Sequence, residues 1–338
     1  MISNRICILG TGAWATALGS MLSKNNNTIF MWGINQKEIN DINTGYNKQY
    51  FGNKKFQSSL SATNDLRTAI GNSKYIILAV PSGAITEVIE KLKASISNKT
   101  RYVLINVVKG LDEQTHKPLS TVIRKQLKGY KIKLVTICGP SYAEEVFDEK
   151  PTIINVTSRS LKLSQDIANI FNNKSFKLVP TTDEKGLQIY AALKNLLAIG
   201  IGLANEHFDS TNTISAMLTM GINEMKMIGM KMGAKRKTIL NFCGIGDIFL
   251  TCSSSQSRNF SFGKSIYENG LKQTLDSNRK TVEGYAVFRV VEKIIVEKEL
   301  NTPLFTSIIK MLKGEVEPKQ LVSTIWELAS QIEEKRHE

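Results

Sequence analysis

A short apolar strand that runs into a glycine-rich turn and then a helix opens this chain, and that order constrains its fold more than anything else in it. Residues Arg5 to Leu9 read Arg-Ile-Cys-Ile-Leu, the turn is Gly10-Thr11-Gly12-Ala13-Trp14-Ala15, and Thr16 to Leu22 has a helical composition. Strand, G-x-G-x-x-A and helix in this order meet the needs of a bound pyrophosphate. Gly10 permits the tight turn, Gly12 lets the backbone approach the phosphates, and small Ala15 lets the helix sit close to the strand. The helix N-terminus adds free N–H groups and the positive end of a dipole. Such a glycine pattern alone is common; the strand before it, the helix after it and its N-terminal position make it a dinucleotide site.

The acid that would hold the ribose hydroxyls of NAD, expected about 20 residues further on, is missing. The second strand, Thr28-Ile29-Phe30-Met31-Trp32, ends in Gly33-Ile34-Asn35 with no Asp or Glu at its tip and with Lys37 close by. Without that carboxylate nothing repels a 2′-phosphate, which favours NADPH. No arginine marks the corner either, so NADH stays open.

At 338 residues the chain is long for one hydrophobic core and suits two domains. After a loop from Asn43 to Asn53, helical and strand patterns alternate. A helical pattern at Leu66 to Ile70 precedes the apolar run Tyr75 to Val80, which breaks at Pro81-Ser82-Gly83. A helix from Ala84 to Ala94 leads to a strand from Tyr102 to Val108, ending at Lys109-Gly110. A helix from Leu119 to Leu127 leads to a strand from Leu134 to Cys138, ending at Gly139-Pro140. Near-continuous apolar runs suit strands buried on both faces, and the alternation predicts a doubly wound α/β sheet of Rossmann type. A strand from Thr152 to Val156, a helix from Leu161 to Phe171 and the run Phe176 to Val179 precede Pro180, where the strand signal fades. The reading is therefore a Rossmann domain over 1–180 and a mainly α-helical domain over 181–338.

Composition excludes other classes. With 42% hydrophobic and 22% charged residues the chain is ordinary for a globular protein. The net charge of +14 is spread out with no aromatic-interleaved basic run, which argues against nucleic acid, though a basic surface would steer an anionic substrate. No cleavable signal and no long uninterrupted apolar segment are read, so neither membrane insertion nor export is expected and the protein is placed in the cytoplasm. Cys7, Cys138, Cys243 and Cys252 lack C-x-x-C spacing and read as buried thiols; His116, His207 and His337 stand in no ligand spacing, so no metal is assigned.

In open α/β sheets ligands gather at the C-terminal ends of strands, which singles out Val80-Pro81-Ser82, Val108-Lys109-Gly110 and the run Cys138 to Glu145. Lys109, a cation at a strand tip beside a glycine, is placed to attract a phosphate or a carbonyl oxygen, or is an exposed turn lysine. Lys194 lies on one helical face with Leu187, Ala191 and Ala198. A lysine there either snorkels to the edge or, held partly out of water, exchanges a proton near neutral pH. Asn195 beside it offers a donor and an acceptor. Asp247 is a lone acid in Gly244-Ile245-Gly246-Asp247-Ile248-Phe249-Leu250-Thr251-Cys252, and Ser257 can cap a helix from Arg258 to Asn269. Arg258 and Asn259 in that first turn suit a phosphate, or the segment is a capped surface helix. The methionines from Met217 to Met232 read as adaptable core or interdomain packing.

In order, GTGAWATAL, WG after the second strand, VPS, VKG, GPSYAEE, LKNLLAIGIG, GIGDIFLTC, SQSRN and VEGY resemble the bacterial NAD(P)-dependent glycerol-3-phosphate dehydrogenases, from Gly10 to Val282-Glu283-Gly284-Tyr285. The resemblance implies a Rossmann domain plus a helical domain. It also implies a phosphorylated small-molecule substrate, interconversion of dihydroxyacetone phosphate and sn-glycerol 3-phosphate with NADPH or NADH, and supply of a phospholipid precursor. Lys194 then matches the proton donor and acceptor, assisted by Lys109 and Asp247. Lys109, Gly139, Ser141, Lys194, Asn195, Asp247, Thr251, Ser257, Arg258 and Asn259 form the substrate set. Gly10, Gly12, Ala13, Trp14, Lys109, Ala143, Arg258 and Glu283 form the dinucleotide set. Ala15 replaces a more usual glycine, and Ile34-Asn35 occupies a corner where the family varies. A ketopantoate reductase-like enzyme and a non-catalytic dinucleotide sensor are the alternatives. Oligomeric state stays open, a homodimer among the options.

Overall fold

The computed structural model describes residues 4–56, 59–278, 282–321 and 327. His337 and the charged tail from Glu333 lie outside them. The chain forms two compact units that divide between Glu184 and Lys185, with Gly110–Pro118 grouped with the second.

The first unit carries β1 (Arg5–Leu9), β2 (Thr28–Trp32), β3 (Ser61–Thr63), β4 (Tyr75–Leu78), β5 (Tyr102–Asn106), β6 (Ile132–Cys138), β7 (Thr152–Ser158) and β8 (Phe176–Thr181). They form one sheet in the order β3-β2-β1-β4-β5-β6-β7-β8. Every pairing is parallel except β6 with β7. Its helices are α1 (Ala13–Lys24), α2 (Gln36–Asn43), α3 (Lys48–Phe51), α4 (Leu66–Ile70), α5 (Ile85–Ser95), α6 (Leu119–Gln126), α7 (Ala143–Phe147) and α8 (Leu161–Phe171). The doubly wound reading follows from β1 itself: Ile6 and Ile8 enter one hydrophobic core while Cys7 and Leu9 enter another, so no face of the strand is left for a polar residue. The antiparallel β7 was not foreseen, because the strand-forming composition of a segment carries no sign of its direction. β8 runs through Pro180 to Thr181, past the expected stop; as an edge strand it can spare the N–H that proline lacks.

The second unit is helical: α9 (Glu184–Phe208), α10 (Thr211–Lys231), α11 (Asp247–Cys252), α12 (Arg258–Asn269), α13 (Leu271–Ser277), α14 (Glu283–Glu297) and α15 (Pro303–Leu312). α9 is its axis. Among the described residues it is the one helix long and apolar enough to cross a membrane, which corrects the expectation that no such stretch exists; its apolar window is wholly buried, as in a core helix. Glycines bring other helices against it. A Cβ at Gly202 would meet Phe260 O at 2.1 Å, one at Gly263 would meet Ile199 O at 2.0 Å, and one at Gly284 would meet Asn195 O at 2.4 Å. Met217, Met220 and Met225 of α10 join the core, while Met227 and Met230 are 39% and 47% exposed, so only part of the methionine cluster is packing.

Candidate functional site

The glycine turn of the first unit is held level with β2, because Gly10 N donates to Trp32 O at 2.7 Å. Gly10 has φ +129°, and a Cβ there would lie 2.3 Å from Ala79 O, so only glycine fits. Gly12, the N-cap of α1, has the opposite surroundings: a Cβ would meet nothing within 4 Å. An open, acid-free helix N-terminus at a glycine suits the two phosphates of a dinucleotide. Ala13 and Trp14 are half-buried against the core, and Ala15 is buried beneath the turn.

Beside the turn lies a carboxylate that sequence reasoning missed. Thr11 Oγ1 donates to Glu38 Oε2 at 2.5 Å, and Glu38 Oε1 accepts from Asn35 Nδ2 and from Tyr50 Oη, both at 3.2 Å. Glu38 is 7% exposed. The signal that could have found it is Asn35-Gln36-Lys37-Glu38, a capping-box spacing in which Asn35 caps α2 and Glu38 turns back on the cap.

At the ends of β5 and β6, Lys109 Nζ donates to Gly139 O at 3.0 Å and Ser141 Oγ donates to the same carbonyl at 3.2 Å. A Cβ on Gly139 would meet the Ile154 side chain at 2.6 Å, so glycine permits the close approach of β7. Ala143 opens α7 two residues later.

In the second unit, Lys194 is 4% exposed at the middle of α9. It does not snorkel. Its Nζ donates to Thr251 Oγ1 at 2.6 Å and to Asn195 Oδ1 at 3.0 Å, and lies 3.3 Å from Asp247 Oδ1. Asp247, 1% exposed, is delivered by a π-helical segment, Phe242–Gly246, at whose centre a Cβ on Gly244 would strike Ile239 O at 2.0 Å. Charge and countercharge are thus buried together, the arrangement that makes burial of either tolerable. Cys252 lies beneath them with its thiol pushed up to about 12 by burial, although the Lys194 charge pulls the other way. All four cysteines are buried, and none is in a disulfide.

The network continues outward. Asn195 Nδ2 donates to Glu283 Oε2 at 2.7 Å, and Glu283 Oε1 lies 3.8 Å from the Arg258 guanidinium, whose side chain is 55% exposed. Ser257 caps α12 by accepting from Phe260 N at 3.3 Å. Asn259 is buried with its Oδ1 engaged by Gly284 N at 2.8 Å, so that oxygen anchors α14. The structure therefore joins Lys194, Asn195, Asp247, Thr251, Arg258 and Glu283 in one connected cluster.

A dinucleotide-binding doubly wound sheet, followed by a helical unit that buries a lysine against an aspartate, defines a nicotinamide-dependent oxidoreductase. The particular family follows from comparison: residues 5–164 match the family model for the N-terminus of NAD-dependent glycerol-3-phosphate dehydrogenase, and residues 183–323 match that for its C-terminus. The chain belongs to this family. It is 55% identical over 330 residues to the NAD(P)+ glycerol-3-phosphate dehydrogenase of Malacoplasma penetrans, covering 97% of this chain and 98% of that one. The crystal structure of the glycerol-3-phosphate dehydrogenase from Coxiella burnetii superposes with a TM-score of 0.87 at 29% identity, covering 96% of this chain and 99% of that one. A ketopantoate reductase from Ralstonia eutropha shares only the fold, with a TM-score of 0.61 at 10% identity.

Proposed function

We propose that this protein interconverts dihydroxyacetone phosphate and sn-glycerol 3-phosphate, with the nicotinamide dinucleotide as the hydride donor or acceptor when bound. The observation that carries the reading is the buried Lys194 with its three oxygen partners. Lys194 gives a proton to the oxygen that becomes the secondary hydroxyl of glycerol 3-phosphate, and takes it back in the reverse direction. Asp247 and Thr251 hold the ammonium in place, and Asn195 fixes its third side. Arg258, with the N–H groups at the start of α12, binds the substrate phosphate. Glu283 accepts a hydrogen bond from Asn195 and pairs its charge with Arg258, so the phosphate anchor and the proton carrier share one polar chain. In the first unit, Gly10, Gly12, Ala13 and Trp14 hold the diphosphate of the dinucleotide. Lys109 and Ser141 present donors to an anionic oxygen, Lys109 exchanging its bond to Gly139 for it. The product is a phospholipid precursor, and four cysteines outside any disulfide suit the reducing cytoplasm.

The test is the loss of nicotinamide absorbance when the purified chain meets dihydroxyacetone phosphate with NADH or NADPH, with ketopantoate as the control substrate. Oxidation with dihydroxyacetone phosphate alone is expected. Oxidation with ketopantoate only, or none with either from folded protein, would overturn the assignment.

A further inference from the structure

We infer that Glu38 sets the choice between the two nicotinamide dinucleotides, in favour of NADH; this rests on the dinucleotide reading of the glycine turn. In Rossmann sheets the ribose is read beside that turn, at the end of the second strand. Leu9 and Trp32 are paired in register, so the end of β2 lies level with the turn. Gly33 leaves room for the Thr11 side chain, since a Cβ there would come within 2.5 Å of it. Thr11 is thereby seated between the two strand ends with its hydroxyl on Glu38, and Asn35 at the tip of β2 binds the same carboxylate. Three donors, from Thr11, Asn35 and Tyr50, hold the group in one position.

A 2′-phosphate would bring up to two negative charges to this corner, where NADH has a neutral hydroxyl. Glu38 is 7% exposed, so water and salt screen its field weakly. Lys37, the neighbouring cation, is exposed, and its attraction is correspondingly screened. Ile34, at 83% exposure, has no donor to offer, and no arginine occurs between Gly33 and Phe51. The expectation of NADPH came from the strand tip alone, which lacks an acid; the fold supplies one from the first turn of α2.

Calorimetric titration of the full-length protein with NADH and with NADPH, in the absence of substrate, tests the inference on wild type and Glu38→Gln. Wild type is expected to bind NADH at least about tenfold more tightly, and Glu38→Gln to shrink that ratio about tenfold by gaining affinity for NADPH. Equal or reversed wild-type affinities would overturn it, as would an unmoved ratio in a variant whose melting curve shows it folded. If the variant does not fold, the wild-type ratio decides alone. Failure to bind either dinucleotide would bring down the dinucleotide reading together with this inference, whereas normal binding without preference removes this inference only.

Discussion

Lys194 and Asp247 are both almost fully buried, and each makes the other tolerable. Lys194→Ala should lower turnover about 10²–10⁴-fold while leaving dinucleotide affinity unchanged, as read by steady-state kinetics beside a binding titration. It should also destabilise the fold by about 3–5 kcal/mol, because Asp247 is left buried without its countercharge. The double variant Lys194→Met with Asp247→Asn should recover the melting temperature but not the turnover, which separates the chemical role from the structural one. Arg258 is exposed, so Arg258→Ala should leave stability within about 0.5 kcal/mol. Its loss should raise KM for the phosphorylated substrate about ten- to hundredfold, the worth of a charge-assisted hydrogen bond. An unchanged KM would remove Arg258 from the phosphate site.

At the scale of elements, the second unit depends on glycines where helices meet backbone to backbone. In Gly263→Ala the new methyl would lie 2.0 Å from the Ile199 carbonyl, which belongs to a helix and cannot step aside. The expected cost is about 1–3 kcal/mol in denaturant unfolding, with lost turnover because α9 carries Lys194 and α12 carries Arg258. Gly83 is the counter-case: a Cβ there meets nothing within 4 Å, so Gly83→Ala should be neutral or stabilise by about 0.4–1 kcal/mol. The α12 cap was legible in advance, since Ser257 and the first turn are neighbours in sequence. The glycine contacts were not, because each joins residues far apart in the chain.

For the whole molecule, one buried carboxylate links stability to pH. Glu224 of α10 accepts from Leu304 N at 2.8 Å and Phe305 N at 2.9 Å, capping α15 where the N-cap residue Thr302 keeps its own hydroxyl buried without a partner. Burial raises its pKa from 4.5 to about 7, outweighing the two backbone N–H groups that favour the charged form. An acid raised in the folded state stabilises fully below its unfolded value and loses that contribution as pH climbs through the folded one. Wild-type stability should therefore fall by about 3 kcal/mol between pH 4.5 and about 7 from this group. Glu224→Gln should lose that slope, as denaturant unfolding at a series of pH values would show; parallel profiles would disprove the linkage.

What the sequence determined by itself is what short-range physics dictates. Strand, glycine turn and helix follow one another within twenty residues, strand burial is written as apolar runs, and Lys194 stands out because helical spacing sets it among Leu187, Ala191 and Ala198. Direction, partnership and charge environment were decided only by the tertiary structure. It set β7 antiparallel to β6, grouped Gly110–Pro118 with the helical unit, joined Asn195 to Glu283, and carried Glu38 to the hydroxyl of Thr11. Periodicity reports whether a side chain is buried; which distant group it meets there depends on how the chain closes over itself, and hydrogen bonds of that kind leave no local pattern to read.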